Sequence, residues 1–127
     1  EKTEGCAGLR LSIAIDYGGR DELTRAVRAI SDRVARGDLA TAAISEGVLS
    51  GALDTRDLPD PDLIIRTSGE CRVSNFLLWQ STYAEYDFRR TSWPDFTTTE
   101  FSEAIDGFRR RQRRFGQVVP ALAASEN

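Results

Sequence analysis

The alternation of apolar and polar positions predicts three strands along the chain. The apolar positions of Leu9–Ile15 predict a buried strand that ends in a turn at Gly18 and Gly19. The apolar run Leu63–Arg66 follows a proline-rich extended stretch and predicts a second buried strand. The aromatic and apolar residues of Tyr83–Phe88 predict a further short strand.

Helical spacing of apolar residues predicts two longer helices. The first is expected to be capped by Asp21 and to stop before Gly37. The last is expected to begin at a capping box formed by Thr97 and Glu100, and to continue until Gly116.

Two other segments are compatible with short helices. Residues 39–53 have a weaker apolar period, and Asn75–Gln80 could form a helix capped by Ser74. Strands that alternate with helices predict an α/β fold with a mainly parallel sheet flanked by helices.

Composition narrows the class of protein. The 127 residues, of which 40% are hydrophobic, suit one globular domain. A net charge of -3 gives no overall field that would attract nucleic acid. The lack of histidine and the wide separation of Cys6 and Cys71 exclude a Ser-His-Asp triad and a zinc site. Without a disulfide framework, a signal pattern or a long apolar segment, we expect a soluble cytoplasmic protein.

The most informative segment lies between the predicted strand ending at Arg66 and the predicted helix beginning after Ser74. Open α/β sheets bind ligands at such a junction. The guanidiniums of Arg66 and Arg72 offer forked donors, Ser68 and Gly69 allow a tight turn, and the Ser74 hydroxyl adds a further donor. These groups suit a diphosphate.

Two carboxylates near this segment would repel a diphosphate on their own. Glu70 lies inside the segment and Glu85 follows it along the chain. Mg²⁺ binds one or two carboxylates together with phosphate oxygens and water, so it would offset the repulsion. The residues therefore predict a magnesium-assisted site.

These residues resemble the carboxyl-terminal signature of the cis-prenyltransferases, the family of undecaprenyl diphosphate synthase. The resemblance rests on Asp60–Glu70, Arg72–Gln80, Tyr83–Glu85 and Trp93–Phe96, and it extends to two flanking motifs. Those flanking motifs are Tyr17–Arg20 and Arg113–Gly116. The similar region thus covers nearly everything from residue 9 to residue 116.

The resemblance implies roles for individual residues. Arg66, Arg72 and Ser74, with the backbone of Val73, would hold the diphosphate of isopentenyl diphosphate, and Glu85 would ligate Mg²⁺. Arg114 and Gly116 match the family's Arg-x-Gly ending, which reaches toward the substrate site of the neighbouring subunit. The implied reaction condenses isopentenyl diphosphate with an allylic diphosphate to give a cis-polyprenyl diphosphate. A dimer and peripheral membrane contact through the lipid product are implied as well.

The sequence also departs from the family pattern. The amino-terminal Asp-Gly-Asn-x-Arg-Trp-Ala motif, which brings the family's metal-binding aspartate, is absent. We therefore expect residues 1–127 to be the carboxyl-terminal half of a larger domain, with a loose tail at 117–127, and the isolated chain to be inactive with no catalytic residue of its own. Asp16, Asp87 and Ser92 differ from the residues usual in the family, the latter two near its dimer contact.

Other interpretations stay open at this point. The chain could be a non-catalytic partner subunit of a heteromeric cis-prenyltransferase, or a simple phosphate-binding module. Arg66 and Arg72 could form structural salt bridges, and Glu85 could be a solvated carboxylate. The arginines between Arg109 and Arg114 lack interleaved aromatic residues, so a solvated helix end is favoured for most of them over a nucleic-acid site.

Overall fold

The computed structural model describes residues 5–6 and 8–111. They form two compact units, one built from the described residues up to Asp57 with Asn75–Leu77 and the other from Leu58–Ser74 with Leu78–Arg111. The first unit holds α1 (Gly19–Ala35) and α2 (Glu46–Ser50), with a 3-10 turn at Thr41–Ala43. The second unit holds β1 (Leu63–Arg66), β2 (Glu85–Phe88) and α3 (Thr98–Arg109), with a 3-10 turn at Trp93–Asp95.

The amino terminus of α1 is capped from a distant part of the sequence. Gly18 is the N-cap residue and supplies no side-chain bond. Instead, the carbonyl oxygen of Asn75 accepts from the Gly19 amide at 2.7 Å and its side-chain oxygen accepts from the Arg20 amide at 2.9 Å. A Cβ atom at Gly18 would lie 2.9 Å from the side-chain Nδ2 atom of Asn75, so a larger residue there would displace the side chain that caps α1. Asp21, predicted as the cap, lies in the first turn, where its charge favours the helix dipole.

The carboxyl end of α1 confirms the predicted stop. Arg36 is the C-cap, and Gly37 follows with a φ of 80°. This left-handed conformation is easy for glycine and costly for other residues, so the helix ends where the sequence predicts.

The core of the first unit contains Ala26, Ile30 and Leu53. Glu22 is buried beside them with 1% exposure. Its carboxylate accepts from the Tyr17 hydroxyl at 2.5 Å and from the Asp54 amide at 2.9 Å, so the cost of burying the charge is offset by hydrogen bonds.

The predicted strand at Leu9–Ile15 is wrong for the structure as described. These residues have no strand assignment, and the apolar side chains of Leu9 and Ile15 are 94% and 84% exposed. The apolar alternation would suit burial, but a strand needs a hydrogen-bonded neighbour. The described residues of this unit include no strand to pair with it.

In the second unit, β1 and β2 pair in parallel, with Leu63 opposite Glu85 and Arg66 opposite Phe88. This confirms the predicted α/β class and the strand at Leu63–Arg66, and places the strand predicted at Tyr83–Phe88 over its last four residues. Both strands are half-buried rather than fully buried.

The capping box of α3 is formed as predicted. The Thr97 hydroxyl accepts from the Glu100 amide at 3.2 Å, and the Glu100 carboxylate accepts from the Thr97 amide at 3.1 Å. The helix buries Ala104 and ends at Arg109, earlier than predicted. The predicted end at Gly116 lies outside the described residues, as does the tail 117–127.

The predicted helix at Asn75–Gln80 is wrong. Ser74, Asn75 and Leu77 have positive φ angles of 50°, 64° and 46°, which a right-handed helix cannot contain. The weak helix predicted within 39–53 is shorter, since only α2 and the preceding 3-10 turn form. Within the described residues, no helix combines the length and the apolar character that crossing a bilayer requires.

Candidate functional site

The loop that follows β1 is held in place by backbone hydrogen bonds to the segment after β2. The Ser68 amide donates to the Thr91 carbonyl, and the Gly69 amide donates to the Arg89 carbonyl, each at 2.8 Å. Ser68 and Gly69 both have left-handed backbone angles, with φ of 64° and 67°. The predicted tight turn is therefore present, and it lies at the carboxyl ends of two parallel strands, where α/β sheets bind ligands.

Arg66 and Ser74 are brought together at this end of the sheet. The Arg66 Nη2 atom donates to the Ser74 hydroxyl at 3.5 Å, a long contact for a hydrogen bond. The Arg66 Nε atom is buried and has no hydrogen-bond partner among the described residues. A buried guanidinium donor without an acceptor is unusual in a folded protein, and an anionic ligand would supply the acceptor.

Arg72 lies in the same loop and is paired with Glu70. Its Nε atom donates to the Glu70 carboxylate in a short contact, and its side chain is 70% exposed. The pKa of Glu70 lies below its ordinary value, first because of this hydrogen bond and further because the charges of Arg72 and Arg66 attract the carboxylate. Glu70 is thus within electrostatic reach of both guanidiniums, and the structural salt bridge considered for Arg72 is present.

The other predicted site residues lie in separate parts of the chain. Val73 lies between Arg72 and Ser74 and is 37% exposed. Glu85 is the first residue of β2, and its side chain accepts a hydrogen bond from Arg111 at 3.1 Å. Arg114 and Gly116 lie outside the described residues.

Metal ligands are sparse in the described part of the chain. No group of three or more Cys, Asp or Glu side chains gathers there in a way that could hold a metal ion. Glu85 offers one carboxylate, which suits Mg²⁺ only where phosphate oxygens and water complete the coordination. Among residues 5–6 and 8–111, Glu85 could therefore hold Mg²⁺ together with a bound diphosphate, and no cluster of protein ligands is present that would hold the ion alone.

Sequence reasoning missed two residues that the structure singles out. Asn75 caps α1 through a contact that no local pattern indicates. Arg111 is one of the arginines for which the sequence favours a solvated helix end, but it contacts Glu85 and the Tyr86 carbonyl. Arg109 agrees with that prediction, since it is 74% exposed and lies 3.6 Å from Asp106 on its own helix.

Comparison with known proteins agrees with this architecture. Residues 1–116 match the family model described as "Putative undecaprenyl diphosphate synthase". The isoprenyl transferase of Brucella suis is 54% identical over 117 residues, which cover 92% of this chain and 46% of that protein. The isoprenyl transferase of Agrobacterium fabrum is 49% identical over 125 residues, 98% of this chain and 51% of that protein.

Solved structures give the same result. Lavandulyl diphosphate synthase from Lavandula x intermedia, solved in complex with dimethylallyl diphosphate, matches with a TM-score of 0.79 and 38% identity over 82% of this chain and 45% of that one. A probable undecaprenyl diphosphate synthase from Campylobacter jejuni matches with a TM-score of 0.74 and 41% identity over 91% of this chain and 51% of that one.

The parallel strand pair places the chain in the α/β class, and these matches identify its family. The chain belongs to the undecaprenyl diphosphate synthase family, the cis-prenyltransferases, and this confirms the resemblance drawn from the sequence. It spans about half the length of the curated relatives that it matches.

Proposed function

We propose that this chain supplies the part of a cis-prenyltransferase active site that binds isopentenyl diphosphate. The observation that carries the proposal is the buried Nε atom of Arg66, which has no acceptor among the described residues and lies beside Ser74. A diphosphate oxygen would complete its hydrogen bonding and be attracted by its charge.

The roles of the other side chains follow from their chemistry. The exposed Arg72 would turn part of its guanidinium fork from Glu70 to the diphosphate, and the Ser74 hydroxyl would donate to another oxygen. The amide of Val73 is a further proposed contact in the same loop, and Arg114 and Gly116 are proposed to reach the substrate site of the neighbouring subunit. Together these groups would fix the position of the bound isopentenyl group and so lower the entropic part of the barrier.

The proposed reaction is a condensation between two substrates. The alkene carbon of isopentenyl diphosphate forms a bond to the allylic carbon, and the diphosphate of the allylic substrate leaves with the electrons of its carbon–oxygen bond. The isopentenyl unit then loses a proton, which leaves a cis double bond. The proposed contribution of this chain is to bind and orient isopentenyl diphosphate. We assign no catalytic residue within it and expect the isolated chain to be inactive.

Magnesium is the proposed cofactor, with Glu85 as one ligand. When bound, Mg²⁺ would neutralise charge on the diphosphate groups. Its other ligands would include diphosphate oxygens and water, because Glu85 belongs to no group of three or more metal-ligating side chains in the described part of the chain. A second subunit, a cytoplasmic location and membrane contact through the lipid product belong to the same proposal.

A second candidate is a non-catalytic partner subunit of a heteromeric cis-prenyltransferase. It is favoured by the Glu85–Arg111 ion pair, because a carboxylate neutralised by the protein itself has less affinity for a metal. Mixing this chain with a catalytic homologue distinguishes the two, since a partner subunit should change the homologue's turnover and a substrate-binding half should not.

Calorimetry tests the main proposal. We expect the chain to bind isopentenyl diphosphate more tightly than inorganic diphosphate, and Arg72→Ala to weaken the binding by about 2 kcal/mol, the size of one charge-assisted contact. The control is Arg90→Ala, which removes the same charge at an exposed position of the same unit. Equal affinity for both ligands would support a general phosphate-binding module instead, and unchanged binding in Arg72→Ala would remove the role assigned to that residue.

A further inference from the structure

One face of β2 carries a row of charged side chains. Residues two apart on a strand point to the same side, so Glu85, Asp87 and Arg89 share a face, while Tyr86 and Phe88 stack on the other with ring centres 5.7 Å apart. Glu103 of α3 and Arg111, two residues beyond the end of that helix, contact the charged face through ion pairs to these side chains.

Asp87 is neutralised within this row. Arg89 donates from Nε to one Asp87 oxygen at 2.5 Å and from Nη2 to the other at 3.3 Å, and its Nη1 atom reaches Glu103 of α3 at 3.0 Å. The Asp87 side chain is only 12% exposed. The Asp87 carboxylate is therefore part of an ion-pair network, centred on Arg89, that joins β2 to α3.

Glu85 is neutralised separately, by Arg111. The Arg111 Nη1 atom donates to Glu85 Oε2 at 3.1 Å and to the Tyr86 carbonyl at 3.0 Å, and its Nη2 atom lies 3.9 Å from Asp87. The backbone amides of Glu85 and Arg89 bond toward β1, so the Tyr86 carbonyl points to the opposite edge of β2. The guanidinium of Arg111 thus bonds both to the backbone at this edge of β2 and to the Glu85 carboxylate.

The Glu85–Arg111 pair is partly accessible to solvent. Glu85 is 20% exposed and Arg111 is 39% exposed, whereas Asp87 is more deeply covered. A divalent cation that reached the exposed side of Glu85 would lie within a few ångströms of the guanidinium, and like charges at that distance repel strongly in a partly buried site.

We propose that Arg111 is the resident counter-cation of Glu85 and that a divalent cation binds this carboxylate only when Arg111 gives up the contact. The inference rests on the proposed function, in which Glu85 is a metal ligand. Arg111 is a positioning residue in this account, since it acts through Glu85 and keeps the carboxylate neutralised while no metal is held.

Binding of Mn²⁺ to the 127-residue chain in the presence of inorganic diphosphate, followed by electron paramagnetic resonance, tests the proposal without any measurement of turnover. The diphosphate supplies the phosphate oxygens that a single carboxylate needs to complete the coordination. Arg111→Gln removes the charge but keeps a donor for the Tyr86 carbonyl, and Arg111→Met is a second charge-free variant. Loss of one charge-assisted contact should tighten Mn²⁺ binding by about tenfold. Arg111→Lys keeps a positive charge and should bind Mn²⁺ as weakly as the natural chain.

Arg109→Gln is the matched control. It changes the net charge by the same amount near the same helix end, but Arg109 pairs with Asp106 instead of Glu85. Mn²⁺ affinity in Arg111→Gln that is no higher than in Arg109→Gln would overturn the proposal. So would a gain that persists when Glu85→Gln is added to Arg111→Gln, because the cation would then be bound elsewhere. Thermal unfolding of each variant verifies that it is folded.

The proposed substrate site is tested independently of the Mn²⁺ experiment. Calorimetry of Arg72→Ala with isopentenyl diphosphate in the absence of metal reports on the diphosphate contacts alone. A failure of the Mn²⁺ experiment with a positive calorimetric result would reject the role of Arg111 and leave the proposed substrate site standing.

Discussion

Arg66 and Arg89 provide a comparison between an arginine proposed to bind substrate and an arginine that stabilises the fold. Arg66 ends β1, while Arg89 directly follows β2. Arg66 has a long contact to Ser74 and a buried Nε without a partner, whereas Arg89 is 21% exposed and bonded to both Asp87 and Glu103. Replacing each with alanine should therefore have opposite consequences for stability and binding.

The magnitudes follow from these contacts. Arg66→Ala removes a buried donor whose lack of a partner costs about 1–3 kcal/mol, which offsets the packing lost with the side chain, so the free energy of unfolding should change by less than about 1 kcal/mol. The same change should weaken binding of isopentenyl diphosphate by about 2 kcal/mol, close to 30-fold. Arg89→Ala leaves Asp87 without its strongest partner in a mostly buried position, and it should destabilise the fold by about 2–3 kcal/mol.

Urea unfolding and calorimetry measure the two effects on the same proteins, with Arg90→Ala as the charge control. The reasoning would be refuted if Arg66→Ala lowered stability as much as Arg89→Ala while its affinity for isopentenyl diphosphate stayed unchanged. Arg66 would then be a structural residue, and the buried Nε atom would have no connection with a ligand.

Two further predictions concern the first unit. Asn75→Ala should lower the free energy of unfolding by about 1 kcal/mol for the lost cap of α1, and by about 1 kcal/mol more because alanine is costly at a left-handed position. Asn75→Gly should lose only the contribution of the cap. Equal losses for the two variants in urea unfolding would contradict this division. Arg25 donates to both oxygens of Asp54 and holds the pKa of that carboxyl below its ordinary value. This stability is present above the ordinary pKa and is lost as the pH falls through the lowered one, so acid unfolding below about pH 4 should be less steep in Asp54→Asn, and an identical acid profile would argue against the ion pair.

Local sequence signals predicted the elements whose causes are local. The strand at Leu63–Arg66 has an extended, proline-rich segment before it and a Ser-Gly turn after it, and both boundaries are correct. The capping box of Thr97 and Glu100 is equally local, because it joins residues three apart. The stop of α1 is local as well, since Gly37 takes the left-handed conformation directly after the C-cap.

The wrong predictions have causes that are distant in the sequence. Leu9–Ile15 has the apolar alternation of a strand, but pairing is a property of two segments, and its own unit supplies no second strand among the described residues. The segment after Ser74 has left-handed backbone angles in place of the predicted helix, and Asn75 there accepts from the Arg20 amide of α1, 55 residues upstream.

The candidate site also combines features that local sequence predicts with features that depend on distant contacts. The residue types of Arg66, Arg72 and Ser74 and their place after a strand were sufficient to predict an anion site. The sequence could not show that the Arg66 Nε atom would be buried without a partner, or that Arg111 would neutralise Glu85, because both depend on packing between elements.

The central claim is that Arg66 and Arg72 bind the same diphosphate, and their guanidinium resonances test it most directly. In a titration of the ¹⁵N-labelled chain with isopentenyl diphosphate, the account predicts that the Nε–H signals of Arg66 and Arg72 shift together along one binding curve while that of Arg90 stays in place. Separate curves for the two arginines, or no shift of either when the ligand is bound, would contradict it.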